Sequence, residues 1–126
     1  MNTMNGRTPV QITLSDVTAI DAALKGYLAF LRGKVKPSQE RDTQIDVLQN
    51  VRQRLKPVLS QGFAQRLEGI LLPLTFNEVR AIDAALVGFV WLVRRMVPQT
   101  KERDEALAGF GGLRQKLASM VAISPI

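Results

Sequence analysis

Residues 12–59 align with residues 74–121 at a constant offset of 62 positions, with no gap, and seventeen of those forty-eight positions are identical. A match of that length is the mark of duplication. A duplicated unit too small to bury its own apolar face must bury it against its copy. The centre of the match is AIDAAL, at 19–24 and again at 81–86. Gly26 recurs as Gly88, the triplet ERD at 40–42 recurs at 102–104, and Arg52-Gln53 recurs as Arg114-Gln115.

Each copy opens on the same helix signal. Thr13-x-x-Asp16 and Thr75-x-x-Glu78 have capping-box spacing: the hydroxyl accepts from the third helical N–H, and the acid reaches back to the cap. Ile12 and Leu74 precede the caps, and Val17 and Val79 follow at the fourth helical position, which completes a hydrophobic staple. Apolar residues then recur at the helical period. They are Val17, Ile20, Leu24, Tyr27, Leu28, Leu31 and Val35 in copy one, and Val79, Ile82, Leu86, Phe89, Val90, Val93 and Val97 in copy two.

Prolines then break the pattern at Pro37 and Pro98. Ser38 and Thr100 are natural caps for a second helix, with acids in its first turn or so, where the helix dipole favours them. That helix carries Ile45, Leu48, Val51 and Leu55 in copy one, and Leu107, Phe110, Leu113 and Leu117 in copy two. Pro57 is expected to end or kink the first of these.

The expected fold is all-α: two tandem helical hairpins forming a pseudo-twofold four-helix domain with a short connector helix. Residues 1–11 read as a flexible tail, 12–59 as hairpin one, 60–73 as the connector helix, 74–122 as hairpin two, and 12–122 together as one compact domain. No strand-like alternation stands out. The first helices belong at the centre, because Ala19, Ala23, Gly26 and Ala81, Ala85, Gly88 form a small-residue flank that permits close approach.

The chain has no cysteine and no histidine. It therefore lacks thiolate metal sites, a cysteine nucleophile, imidazole ligands and any Ser-His-Asp arrangement. No apolar run approaches the roughly 18 residues of a membrane span; the longest covers 84–93. The expectation is a non-enzymatic, cofactor-free, cytoplasmic protein that does not enter membranes.

Asp21 and Asp83, inside the repeated AIDAAL, sit at the edge of the core stripe. In an antiparallel hairpin Asp21 lies level with Arg52, and Asp83 with Arg114, so these are read as interhelical ion pairs that fix register.

Two surfaces invite a functional reading. Copy two replaces Lys25 by Val87 and Ala29 by Trp91, on the face opposite the core. With Ala84 and Gly88 these form an apolar centre rimmed by Arg80, Arg94 and Arg95, the composition of an interface hot spot. The competing reading is that the connector or the tail covers it. The second surface is basic. The net charge is +6, and Arg32, Lys34, Lys36, Arg52, Arg54, Lys56, Arg114 and Lys116 gather toward helix C-termini. There they either complement helix dipoles or bind phosphate.

The leading expectation is a small adaptor or regulator that docks a protein partner or forms a homodimer. The alternative is a sequence-nonspecific DNA- or RNA-binding accessory protein that uses the basic helix ends. Gly109, Gly111 and Gly112 stand mid-helix where copy one has Val47, Gln49 and Asn50. That suggests a close approach or a local break; a phosphate-cradling loop is disfavoured, because no strand precedes it.

Overall fold

The computed structural model describes residues 7–65 and 69–123. The chain runs β1 (Arg7–Thr13), α1 (Leu14–Lys34), α2 (Gln39–Gln65), β2 (Gly69–Thr75), α3 (Phe76–Met96) and α4 (Lys101–Ile123). It is mostly helical, with one small antiparallel strand pair.

The strands correct two readings of the sequence. Within the supposed tail of residues 1–11, residues 7–11 belong to β1, and residues 1–6 lie outside the described residues. The supposed connector helix at 60–73 is divided: 60–65 are the last turns of α2, 66–68 lie outside the described residues, and β2 begins at Gly69. GILLPLT is an apolar run, and such a run fits a helix or a strand equally well until a pairing partner is known. Here the partner is β1. Buried Ile70, Leu72 and Leu74 alternate with exposed Gly69, Leu71 and Pro73. The register runs from Arg7↔Thr75 to Thr13↔Gly69, and at its middle Val10 faces Leu72. Those two residues are 72 − 10 = 62 positions apart, the offset of the repeat. Pro9 faces Pro73. Neither has an N–H to give, and a two-stranded sheet tolerates both because each strand is an edge.

Strand passes into helix without a loop. An N-cap residue has extended backbone, so the last strand residue already has the cap's conformation. Thr13 (φ −85°, ψ 162°) and Thr75 (φ −78°, ψ 160°) each end a strand and cap a helix. Both capping boxes are complete: the Thr13 hydroxyl accepts from Asp16 N–H at 3.0 Å, and Thr75 accepts from Glu78 N–H at 3.1 Å.

Pro57 lies inside α2, which does not end there. Packing holds the helix on both sides of the lost backbone bond. Val51 and Leu55 are fully buried before the proline, Val58 and Leu59 pack against the core after it, and Gly62 is buried against Leu14 and Ile70.

One hydrophobic cluster unites all six elements, with Ile20, Ala23, Leu24, Ile82, Ala85 and Leu86 fully enclosed at its centre. There α1 and α3 cross. The Phe89 ring lies against Gly26 and the Tyr27 ring against Gly88. The C-terminal half of α3 is less covered than that of α1: Leu28 and Leu31 are buried, whereas their counterparts Val90 and Val93 are half-buried.

Candidate functional site

Copy-specific side chains gather on the outer face of α3. The core stripe of this helix, Val79, Ile82, Ala85 and Leu86, is buried, and Ala84, Val87 and Trp91 on its other side are exposed. Trp91 is 51% exposed and Val87 44%. Phe30 of α1 meets the Trp91 ring edge-on, with centroids 6.4 Å apart. The Arg95 guanidinium lies over the same ring, 4.9 Å from its centroid. Arg80 lies over the exposed Phe76 ring at 5.8 Å, and Arg94 is exposed. Gly88 is not on this face, since it sits beneath the Tyr27 ring at the helix crossing. Among the described residues, none of Arg80, Arg94 and Arg95 forms an ion pair with a carboxylate.

The basic helix ends are arranged differently. Arg52 Nε donates to Asp21 Oδ1 at 3.0 Å, and Arg114 Nε donates to Asp83 Oδ1 at 2.7 Å, with a second bond from Nη2 to Oδ2 at 3.2 Å. The Asp83 carboxylate raises the Arg114 pKa above its ordinary value. Arg54 pairs with Glu78 and donates to the Pro73 carbonyl at 3.1 Å. Lys116 donates to Asp16 at 2.6 Å. These last two bonds tie the second helix of each copy to the capping box of the other. Arg32 donates to the Gln49 side chain at 3.1 Å. Of the eight cations read from sequence as phosphate ligands, four are thus held by carboxylates. Lys34, Lys36 and Lys56 are exposed.

The ion pairs act on their acids. Burial raises the Asp16 pKa, but the bond from Lys116 and the capping bonds from Thr13 outweigh it, and the carboxyl lies below its usual range. Glu78 is the same: burial raises it, and the Thr75 backbone and Arg54 bring it lower.

The ERD triplets have a role that their sequence does not announce. Arg41 Nη1 donates to the Val35 carbonyl at 3.1 Å while its Nε and Nη2 hold Asp42 Oδ1. Arg103 does the same with the Val97 carbonyl, at 3.1 Å, and Asp104. Each arginine closes the C-terminus of the preceding helix. The signal was the repetition of the whole triplet: dipole compensation needs the acids but gives no reason for the arginine between them.

An open cleft of about 950 Å³ runs between α3 and α4, lined in part by Arg80, Asp83, Ala84, Gly111, Gly112 and Arg114. A Cβ added at Gly109, Gly111 or Gly112 would meet nothing within 4 Å, so no packing in the described structure requires glycine there. The local break is not seen, since α4 is unbroken through them, and among the described residues no group approaches them closely. Among the described residues no group of three or more acids could hold a metal ion, and no helix is long and apolar enough to cross a membrane.

Comparison with protein-family models, with curated proteins and with solved structures finds no match.

Proposed function

We propose that the chain is a non-enzymatic interaction module of cytoplasmic setting. In this reading two strand–helix–helix copies are related by a pseudo-twofold axis through the Val10–Leu72 pair. The duplication supplies the scaffold, and the second copy supplies a docking face for a protein, another copy of the chain included. The observation that carries the reading is Trp91. A half-exposed tryptophan, flanked by Val87 and covered on one side by Arg95, stands where copy one has alanine. Tryptophan and arginine are the residue types that dominate binding energy at protein interfaces. Trp91 is also the one tryptophan in the chain, so its emission reports on this face alone. The test is sedimentation velocity across concentration, combined with Trp91 emission in the presence of binding partners. Self-association or partner binding that Val87→Asp abolishes supports the reading. Association that is indifferent to Val87 and Trp91 overturns it.

A second reading rests on the ribbon. A two-stranded antiparallel ribbon has the width to enter the major groove of duplex DNA. Its outer face carries Gln11 opposite Leu71, together with Thr13 and Pro73. This adds the sheet to the helix ends as a candidate nucleic-acid surface: Arg52, Arg54, Arg114 and Lys116 are engaged by carboxylates, and Lys34, Lys36 and Lys56 are exposed. Duplex binding that falls with salt and is lost in Gln11→Ala favours it.

A further inference from the structure

We propose, building on the docking reading above, that the occupant of the α3 face is an acidic amphipathic helix of another protein. Arg80, Ala84, Val87, Trp91 and Arg94 are spaced by four, three, four and three residues, which is the spacing of a coiled-coil seam. They line the side of α3 turned away from the core stripe. A straight seam of that spacing receives another helix, whose side chains fit between successive turns. From Arg80 to Arg94 it extends about 21 Å, four turns of partner helix.

Charge selects among helices. The centre of the seam is apolar, its two ends are Arg80 and Arg94, and Arg95 flanks Trp91. None of these three arginines forms an ion pair with a carboxylate among the described residues, and Arg94 acts on Asp104 only at longer range, whereas Arg41, Arg52, Arg54, Arg103 and Arg114 each form one. A second copy of the chain is a poor fit. A twofold contact presents the same patch from both sides, so like-charged rims oppose each other and disfavour the pair. A helix with carboxylates beside its apolar stripe instead meets all three arginines of this face. Arg95 is already oriented by the ring, and its planar fork suits a carboxylate bidentately. The net charge of +6 speeds encounter with such a partner.

The probe is a capped synthetic peptide of about 18 residues, long enough to span the seam. It has leucine at the heptad core positions, glutamate at the flanking positions and no tryptophan. A second peptide carries glutamine for glutamate. Each is titrated into the full chain while Trp91 emission is followed. The expected result is saturable binding of the glutamate peptide, at least about tenfold tighter than the glutamine peptide. That preference should disappear in the Arg80→Gln, Arg94→Gln, Arg95→Gln variant, and binding itself should be lost in Val87→Asp. Equal affinity for the two peptides overturns the acidic occupant and leaves the docking face standing. Neither peptide binding, with a dimer that Val87→Asp dissolves, also overturns it, since the occupant is then a second copy. Neither peptide binding to a chain that stays monomeric overturns both this inference and the docking reading. Displacement of the bound glutamate peptide by duplex DNA at equal concentration overturns the inference in favour of a phosphate ligand.

Discussion

The Phe89 ring of α3 rests on Gly26 of α1, so closely that a Cβ at residue 26 would stand 2.5 Å from the ring's Cε1. The Tyr27 ring rests on Gly88 in the same way, exchanging the roles of the two helices. The aromatic of each copy therefore fills the space left by the glycine of the other. Gly26→Ala or Gly88→Ala should overpack the crossing and destabilise the fold by about 1–3 kcal/mol, despite alanine's better helix propensity. The same substitution at Gly109, Gly111 or Gly112, where the new methyl meets nothing, should stabilise by up to about 1 kcal/mol. Urea unfolding of the five variants checks both signs. Stabilisation at 26 or 88 would mean that the rings do not lie where the structure puts them.

Arg41 ties the C-terminus of α1 to the first turn of α2 through the Leu31 and Val35 carbonyls and Asp42. Arg41→Ala should cost about 1–2 kcal/mol, the order of one or two hydrogen bonds from a charged donor. Arg41→Lys should recover little, because one ammonium does not reproduce a fork that serves carbonyl and carboxylate together. Thermal melts of the three proteins provide the measurement, and full rescue by lysine would reduce the interaction to simple charge.

Much of this framework is legible in the sequence, and the parts that are not have identifiable causes. Helix starts are legible because capping is local chemistry: Thr13 with Asp16, and Thr75 with Glu78, need no knowledge of the rest of the fold. The Asp21–Arg52 level is legible because a hairpin turning near residue 37 sets it by arithmetic. The ribbon is not, because its evidence is a pairing between segments 62 residues apart. Each segment alone misleads: Pro9 and Pro73 argue against a strand, and GILLPLT suits a helix. The exchanged bonds Arg54–Glu78 and Lys116–Asp16 are hidden for the same reason, since they join the second helix of one copy to the cap of the other. A net charge gives no sign of which arginines are already engaged.

Asp16 and Glu78 couple those exchanged bonds to pH. Burial raises each carboxyl, but the bonds from Lys116 and Thr13 in one case, and from Thr75 and Arg54 in the other, leave both below their usual range. A depressed folded-state pKa contributes stability that is complete above the unfolded value, near pH 4. That contribution is lost as pH falls through the folded values. Melting temperature should therefore drop on acidification below about pH 4–5. The drop should be shallower in an Asp16→Asn, Glu78→Gln variant, which starts less stable at neutral pH. Parallel acid profiles for the two proteins would remove these acids from the account.

The two duplicated ion pairs differ in exposure, and so in expected worth. The Asp21–Arg52 side chains retain 23% and 20% of their accessible surface, and the Asp83–Arg114 side chains 39% and 44%. Solvent screens the second pair more. Asp21→Asn should cost about 1–2 kcal/mol and Asp83→Asn less than about 1 kcal/mol. The ordering is informative because the bidentate geometry of the second pair, judged alone, suggests the reverse. A larger loss at Asp83 would mean that hydrogen-bond geometry outweighs burial between α3 and α4.

The ribbon offers a test whose sign depends on a single residue of register. Leu71 and Leu72 are adjacent and chemically identical, yet Leu71 is 66% exposed and Leu72 only 3%. Were 60–73 a helix, Leu71 would join Phe63, Leu67 and Ile70 on the apolar face and Leu72 would fall about 100° round from it, which reverses the order. In a strand they point to opposite sides of the sheet. Leu72→Ala should leave a cavity in the core and cost about 2–5 kcal/mol, whereas Leu71→Ala should stay within about 0.5 kcal/mol of the parent. If the docking face lies on α3, Leu71→Asp should also leave peptide binding unchanged. If the ribbon enters duplex DNA, the same charge, placed opposite Gln11 on the outer surface, should abolish DNA binding without unfolding the chain. One exposed substitution, measured for stability and for both ligands, thus separates the strand from the helix and the α3 face from the ribbon.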